Sequence, residues 1–243
     1  MLFIINALKI IFILGFLVLI HETGHFIVAR LCKVKVKEFA IGFGPTIWKK
    51  QGKETKYALR LIPLGGFVSM EGEEERSNKE GSFSNSSIPK RIAIVAAGGL
   101  VNIIFALIVY LILITVLTGD FTKALSSTGN FAFAIVDSLK MLFSGGVSVD
   151  QLMGPVGISS VVAQTSNLAE FVYILVVISM SLGVTNLLPF PPLDGGKIVF
   201  LILEGIRKKP LKEETEIKIQ MLGFAVLIIL SIYVTCNDVT RIA

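Results

Sequence analysis

Histidine and cysteine are almost missing from this chain, whose 243 residues contain two of each. Two cysteines, Cys32 and Cys236, cannot build a disulfide framework or a zinc finger. Charge is scarce as well: Asp, Glu, Lys and Arg make up 17%, where soluble domains carry about 25%. Apolar residues reach 53%, Phe alone counts 17, and the mean hydropathy is +0.77. Gathered in long runs, that excess excludes both a water-soluble domain and a disordered chain. The net charge is +5, but the basic residues fall in two blocks. Such segregation points to a membrane surface, and no nucleic-acid partner is expected.

Four stretches are long and apolar enough to cross a hydrocarbon core of about 30 Å, which takes about 20 helical residues. They are residues 2–29, 92–118, 168–188 and 217–235. The fourth is the weakest, because Lys218 and Gln220 must sit at an interface. Residues 131–143 are too few to span. Phe131, Ile135, Leu139 and Leu142 recur there at helical spacing, which predicts an interfacial helix. The first run lacks the basic start and small-residue cleavage site of a signal peptide. Lys and Arg crowd the connection from Arg30 to Arg91 and again that from Lys197 to Lys218. The opposite side carries only Lys123, Lys140 and Arg241, with Lys9 just inside the first span. By the positive-inside rule both basic connections are cytoplasmic and both termini external. Cys32 and Cys236 then lie on opposite sides and do not pair.

Residues 38–70 read as β-rich. Phe39, Ile41 and Phe43 alternate with smaller residues, as do Tyr57, Leu59 and Leu61 with Lys56, Ala58 and Arg60. Lys50-Gln51-Gly52-Lys53 is turn-like, and Pro63 with Gly65-Gly66 precedes a third short strand at Phe67–Met70. A small membrane-associated sheet of three short strands is expected. The polar stretch 71–87 is expected to be a loop.

Both histidines fall in His21-Glu22-Thr23-Gly24-His25. On a helix, residues i and i+4 share a face about 6 Å apart along the axis, so both imidazoles can reach one metal ion. Glu22 stands beside the first and can address water there. Zinc suits the pair, since it takes nitrogen and oxygen ligands in a tetrahedron and leaves one position open. The bland alternative is two interfacial histidines at a helix end. Ionisable residues at that depth are costly, however, and by default mark a functional site. A third ligand is needed. Asp194, in Pro191-Pro192-Leu193-Asp194-Gly195-Gly196, follows the third span on the same side, although a turn residue before two glycines would look the same. Glu204 is the rival carboxylate, and its neighbours Arg207-Lys208-Lys209 suggest an ion pair instead. With both histidines committed, none remains to activate a serine or cysteine.

HETGH at the end of the first span, GFGP at Gly42–Pro45 and IPLGGFVSMEGE at Ile62–Glu73 occur in that order. AAGGLVN at Ala96–Asn102, MGPVGI at Met153–Ile158 and NLLPFPPLDGG at Asn186–Gly196 follow. Together they resemble the bacterial site-2 proteases of the sigma-E-regulating type, which cleave anti-sigma factors and signal-peptide remnants within the membrane. The resemblance covers nearly the whole chain. It implies that His21, His25 and Asp194 bind Zn2+ and that Glu22 is the general base, later passing a proton to the leaving amine. It further implies that Asn102 and Asn186 line the site and grip an unwound substrate. Intramembrane amides also serve simply to join helices. The sheet at 42–70 would offer an edge strand to the substrate.

One departure from that family concerns the PDZ domains it normally carries between its second and third spans. Residues 119–167 leave no room for one, which needs on the order of 80–100 residues. The expectation is therefore an all-α polytopic membrane protein, one transmembrane metalloprotease domain over 1–243. Its substrates would be membrane-spanning proteins or signal-peptide remnants, and its location the bacterial inner membrane, with the site near the cytoplasmic face. Two alternatives stand beside this one: another membrane zincin with Glu204 as third ligand, or a non-catalytic adaptor with a structural zinc.

Overall fold

The computed structural model describes residues 2–73, 75–144 and 153–242. In chain order these form α1 (Leu2–Leu31), β1 (Val36–Gln51), β2 (Lys56–Met70), α2 (Ile88–Thr118) and α3 (Phe121–Phe143). Then come α4 (Pro155–Gln164), α5 (Leu168–Asn186), α6 (Asp194–Arg207) and α7 (Glu213–Ile242). Four helices are long and apolar enough to cross a membrane: α1, α2, α5 and α7. Only 11–28% of the residues in their most apolar windows are buried within the protein. So much uncovered apolar side chain requires lipid around it, and the chain is a multi-pass membrane protein.

Local chemistry sets the helix ends. Pro89 occupies the first turn of α2, where a missing N–H costs nothing. Gly119, with φ +66°, ends that helix, and its N–H donates to the Thr115 carbonyl at 2.9 Å. Asp120 then opens α3 by accepting the Lys123 N–H at 3.0 Å. This cap explains why α3 starts at Phe121, ahead of the interfacial helix expected over 131–143. Helix α6 ends on Lys208 in the left-handed conformation, two residues before Pro210.

The described residues gather into two compact units. One comprises the residues up to Ile10, Ile104–Met180, and those from Phe224 onward. In it, Tyr110 of α2 stacks on Phe131 of α3 with ring centroids 4.6 Å apart. The other comprises Ile11–Ile103 and Ser181–Gly223 and contains the sheet. Its core joins Val34, Val36, Val68 and Met70 to Ile94, Val95 and Leu201, so the sheet, the start of α2 and α6 share one apolar cluster.

The sheet is built from two long bent strands in place of three short ones. Val36 to Ile41 lies opposite Met70 to Gly66, while Thr46 to Gln51 lies opposite Arg60 to Lys56. Glu38 to Ile41 also meets Lys56 to Leu59. Glycines that look like punctuation in the sequence are bends inside strands. Gly42 and Gly44 have φ of 87° and 82°, and Gly65 has φ of 121°, which let β1 and β2 turn without ending. On the sheet, Arg60 donates to Glu38 at 2.9 Å and lies over the Phe67 ring, 4.8 Å from its centroid.

Candidate metal centre

His21 and His25 are one turn apart on α1, and both are buried. Their Nε2 atoms approach to 3.2 Å. Asp194, first residue of α6, brings Oδ2 to 3.1 Å from His21 Nε2 and 3.3 Å from His25 Nε2. Three potential ligand atoms from two distant segments therefore form a nearly equilateral triangle.

His25 Nδ1 lies 2.8 Å from the Ile94 carbonyl of α2, which can only accept. The ring proton therefore sits on Nδ1, and Nε2 points its lone pair at Asp194. Asp194 Oδ2 is buried and has no hydrogen-bond donor among the described residues; nor has His21 Nδ1 a partner. Lone pairs converging in this way repel each other unless a cation lies among them. Zinc bonds of about 2.0–2.1 Å in a tetrahedron place ligand atoms about 3.3 Å apart, which is the size of this triangle. The residues fit the ion.

Space for further ligands comes from Gly98 of α2. A Cβ there would fall 2.7 Å from both Nε2 and Cε1 of His21 and would also collide with His25 Nε2. The α2 backbone thus faces the ligand atoms directly, with no side chain between.

Glu22 follows His21 and is close enough to His25, His21 and Asp194 to interact with them electrostatically. Its Cγ would lie 3.3 Å from a Cβ on Gly66, so this carboxyl packs beside β2. Asn102 is fully buried and lies one helical turn after Gly98, on the same side of α2. Asn186 is the half-buried last residue of α5. Glu204 is engaged elsewhere: both its oxygens accept from the Arg91 guanidinium, at 2.5 and 3.0 Å. Sequence reasoning did not find the Ile94 carbonyl, the role of Gly98, or an ion pair between Lys197 of α6 and Glu73 at 2.8 Å. Gly98 was visible only as one of two glycines in an apolar helix.

Comparison with known proteins gives the family. Residues 9–230 match the sequence pattern of peptidase family M50. A Clostridium acetobutylicum protein provisionally named a zinc metalloprotease is 29% identical, over 96% of this chain and 97% of its own length. A similarly named protein of Fusobacterium nucleatum is 27% identical, over 94% and 97%. The zinc metalloprotease RasP of Shouchella clausii is 43% identical over 115 residues, 46% of this chain and 28% of that one. The chain belongs to peptidase family M50 and is a membrane-embedded zinc metalloprotease.

Proposed function

We propose that the protein hydrolyses peptide bonds within transmembrane helices or signal-peptide remnants, at a site near the cytoplasmic face of the bacterial inner membrane. The observation that carries this reading is the converging triangle of His21, His25 and Asp194 with Glu22 beside it. Depth adds support. A helix rising 1.5 Å per residue from Leu2 climbs about 28 Å by His21, so the site lies at the far edge of the first span. The basic connections then face the cytoplasm and both termini lie outside.

His21, His25 and Asp194 would hold the zinc. When bound, zinc would supply Lewis-acid polarisation of the scissile carbonyl and ease ionisation of an attacking water. Glu22 takes up the proton of that water and hands it to the departing amine. The proton on His25 Nδ1, held by the Ile94 carbonyl, fixes the orientation of that imidazole. Asn102 and Asn186 would grip the unwound substrate. A helical peptide bond is shielded by its own hydrogen bonds, so the substrate must be opened before water reaches it. The strand segment Gly66–Met70 could receive the opened chain by strand addition, since its recorded pairing is with β1 along Val36 to Ile41.

The reading with Glu204 as third ligand is disfavoured by its bidentate pairing with Arg91. A purely structural zinc would leave Glu22 without a task. Cleavage of a tagged transmembrane peptide in detergent should stop on chelation and return with added zinc. Asp194→Asn should lose the metal, whereas Glu204→Gln should keep it. Metal loss in Glu204→Gln alone would favour the rival zincin, and zinc binding without cleavage of any helical peptide would favour the adaptor.

A further inference from the structure

Lys197 lies one turn beyond Asp194 on α6, and its Nζ is 2.8 Å from Glu73 Oε1. Glu73 follows β2, and its other oxygen accepts the Met70 N–H at 3.4 Å. A line of contacts therefore runs from the last residue of β2 through one ion pair to the helix that carries Asp194. The opposite end of the same strand segment is fixed as well. A Cβ on Gly66 would lie 3.3 Å from Glu22 Cγ and 3.4 Å from Val18 Cγ1, so the Gly66 backbone rests on the turn of α1 that bears Glu22. Between these ends, Phe67, Val68 and Ser69 line an open groove whose other walls include Glu73, Lys197 and Ile217. Two turns further along the same face of α6, Glu204 pairs with Arg91 of α2.

We propose that Lys197 and Glu73 are a positioning pair that registers the strand segment Gly66–Met70, and any peptide added to it, against Asp194 and Glu22. The inference takes its substrate from the proteolytic reading above; the tether itself stands on the contacts just described. Its physical purpose follows from strand geometry. A peptide added to a strand advances about 3.3 Å per residue, and main-chain hydrogen bonds alone barely distinguish one register from the next. Which bond meets the catalytic groups, and how well, depends on how firmly the receiving strand is indexed to them. An error of about 1 Å is enough to lower turnover by about 100-fold. Neither residue touches the reacting atoms.

The test compares wild type with Lys197→Met, Glu73→Gln and Lys197→Arg, using a tagged transmembrane peptide, mass analysis of the products, zinc content and amide exchange over Phe67–Met70. Lys197→Met and Glu73→Gln should lower kcat roughly 10- to 100-fold. KM should move by no more than about twofold, zinc should be retained, and cuts should spread to neighbouring bonds. Exchange of the Phe67–Met70 amides should quicken. Lys197→Arg keeps the charge and should restore a single cut. Loss of zinc in Lys197→Met would overturn the proposal, because the pair would then be holding the metal ligand. Unchanged kcat with an unchanged cut would overturn it too. Should wild type loaded with zinc cleave nothing, the proteolytic reading fails by itself. Exchange then decides the tether, faster exchange supporting it and unchanged exchange refuting it.

Discussion

The methyl group that Gly98 lacks would lie among the ring atoms of His21 and His25, two of the residues that would hold the metal. Helix propensity by itself favours alanine there by about 1 kcal/mol. Forcing a methyl against two buried imidazoles costs about 1–3 kcal/mol, so Gly98→Ala should leave the thermal midpoint level or lowered while zinc content and cleavage fall together. A variant that keeps full zinc would show that α2 does not crowd the ligands. At this scale much of the site was legible in the sequence. His21, Glu22 and His25 are adjacent, and the helix repeat alone puts both imidazoles on one face. Asp194 is distant in sequence and stood out only through the prolines and glycines around it. The Lys197–Glu73 pair was not legible, because many lysines on that side could have met Glu73 and only the fold selects one. The Ile94 carbonyl leaves no mark on the sequence at all, since every residue has one.

Helix α4 shows what elements contribute beyond their own sequence. Its N-terminus is capped by Asp238 of α7, which is buried and accepts the Gly157 N–H at 2.7 Å. Its C-terminus is capped by Lys9 of α1, whose Nζ donates to the Thr165 carbonyl at 2.9 Å and lies 3.1 Å from the Thr165 hydroxyl. Acid at the start and base at the end both match the helix dipole. A Cβ on Gly154 or Gly157 would come 2.8–2.9 Å from the Asp238 carboxyl oxygens, which accounts for both glycines of the MGPVGI stretch. Asp238→Ala should lower stability by about 1–3 kcal/mol, and Lys9→Met by about 0.3–1 kcal/mol. Thermal unfolding in detergent with amide exchange across α4 checks both, and unchanged α4 exchange in Asp238→Ala would contradict the capping. The long apolar helices were readable because length and hydropathy suffice to define them. The sheet was harder: the alternation was visible, but glycines and a proline that bend strands look the same in sequence as those that end them. Helix α6 was obscured for a related reason, since Asp194-Gly195-Gly196 reads as a turn and proves to be a first helical turn.

For the whole molecule, orientation is the first consequence. Arg76 and Lys79 are exposed in the connection after β2. Trypsin should cut there in inverted membrane vesicles and spare the connection in intact spheroplasts; cutting in spheroplasts would reverse the orientation. Size is the second. The alignment with the Clostridium acetobutylicum relative extends over 329 positions, more than the 243 residues of this chain, so that relative carries a large stretch without a counterpart here. The most direct test of the account is to incubate a tagged transmembrane peptide containing helix-breaking residues with wild type and Glu22→Gln, both zinc-loaded, and to map the products. Wild type should cut within the membrane-spanning segment. Glu22→Gln should keep its zinc and lose at least roughly 100- to 10,000-fold of the rate, the range for removing a general base. Equal cleavage by the two would contradict the assignment of Glu22 and, with it, the catalytic centre described above.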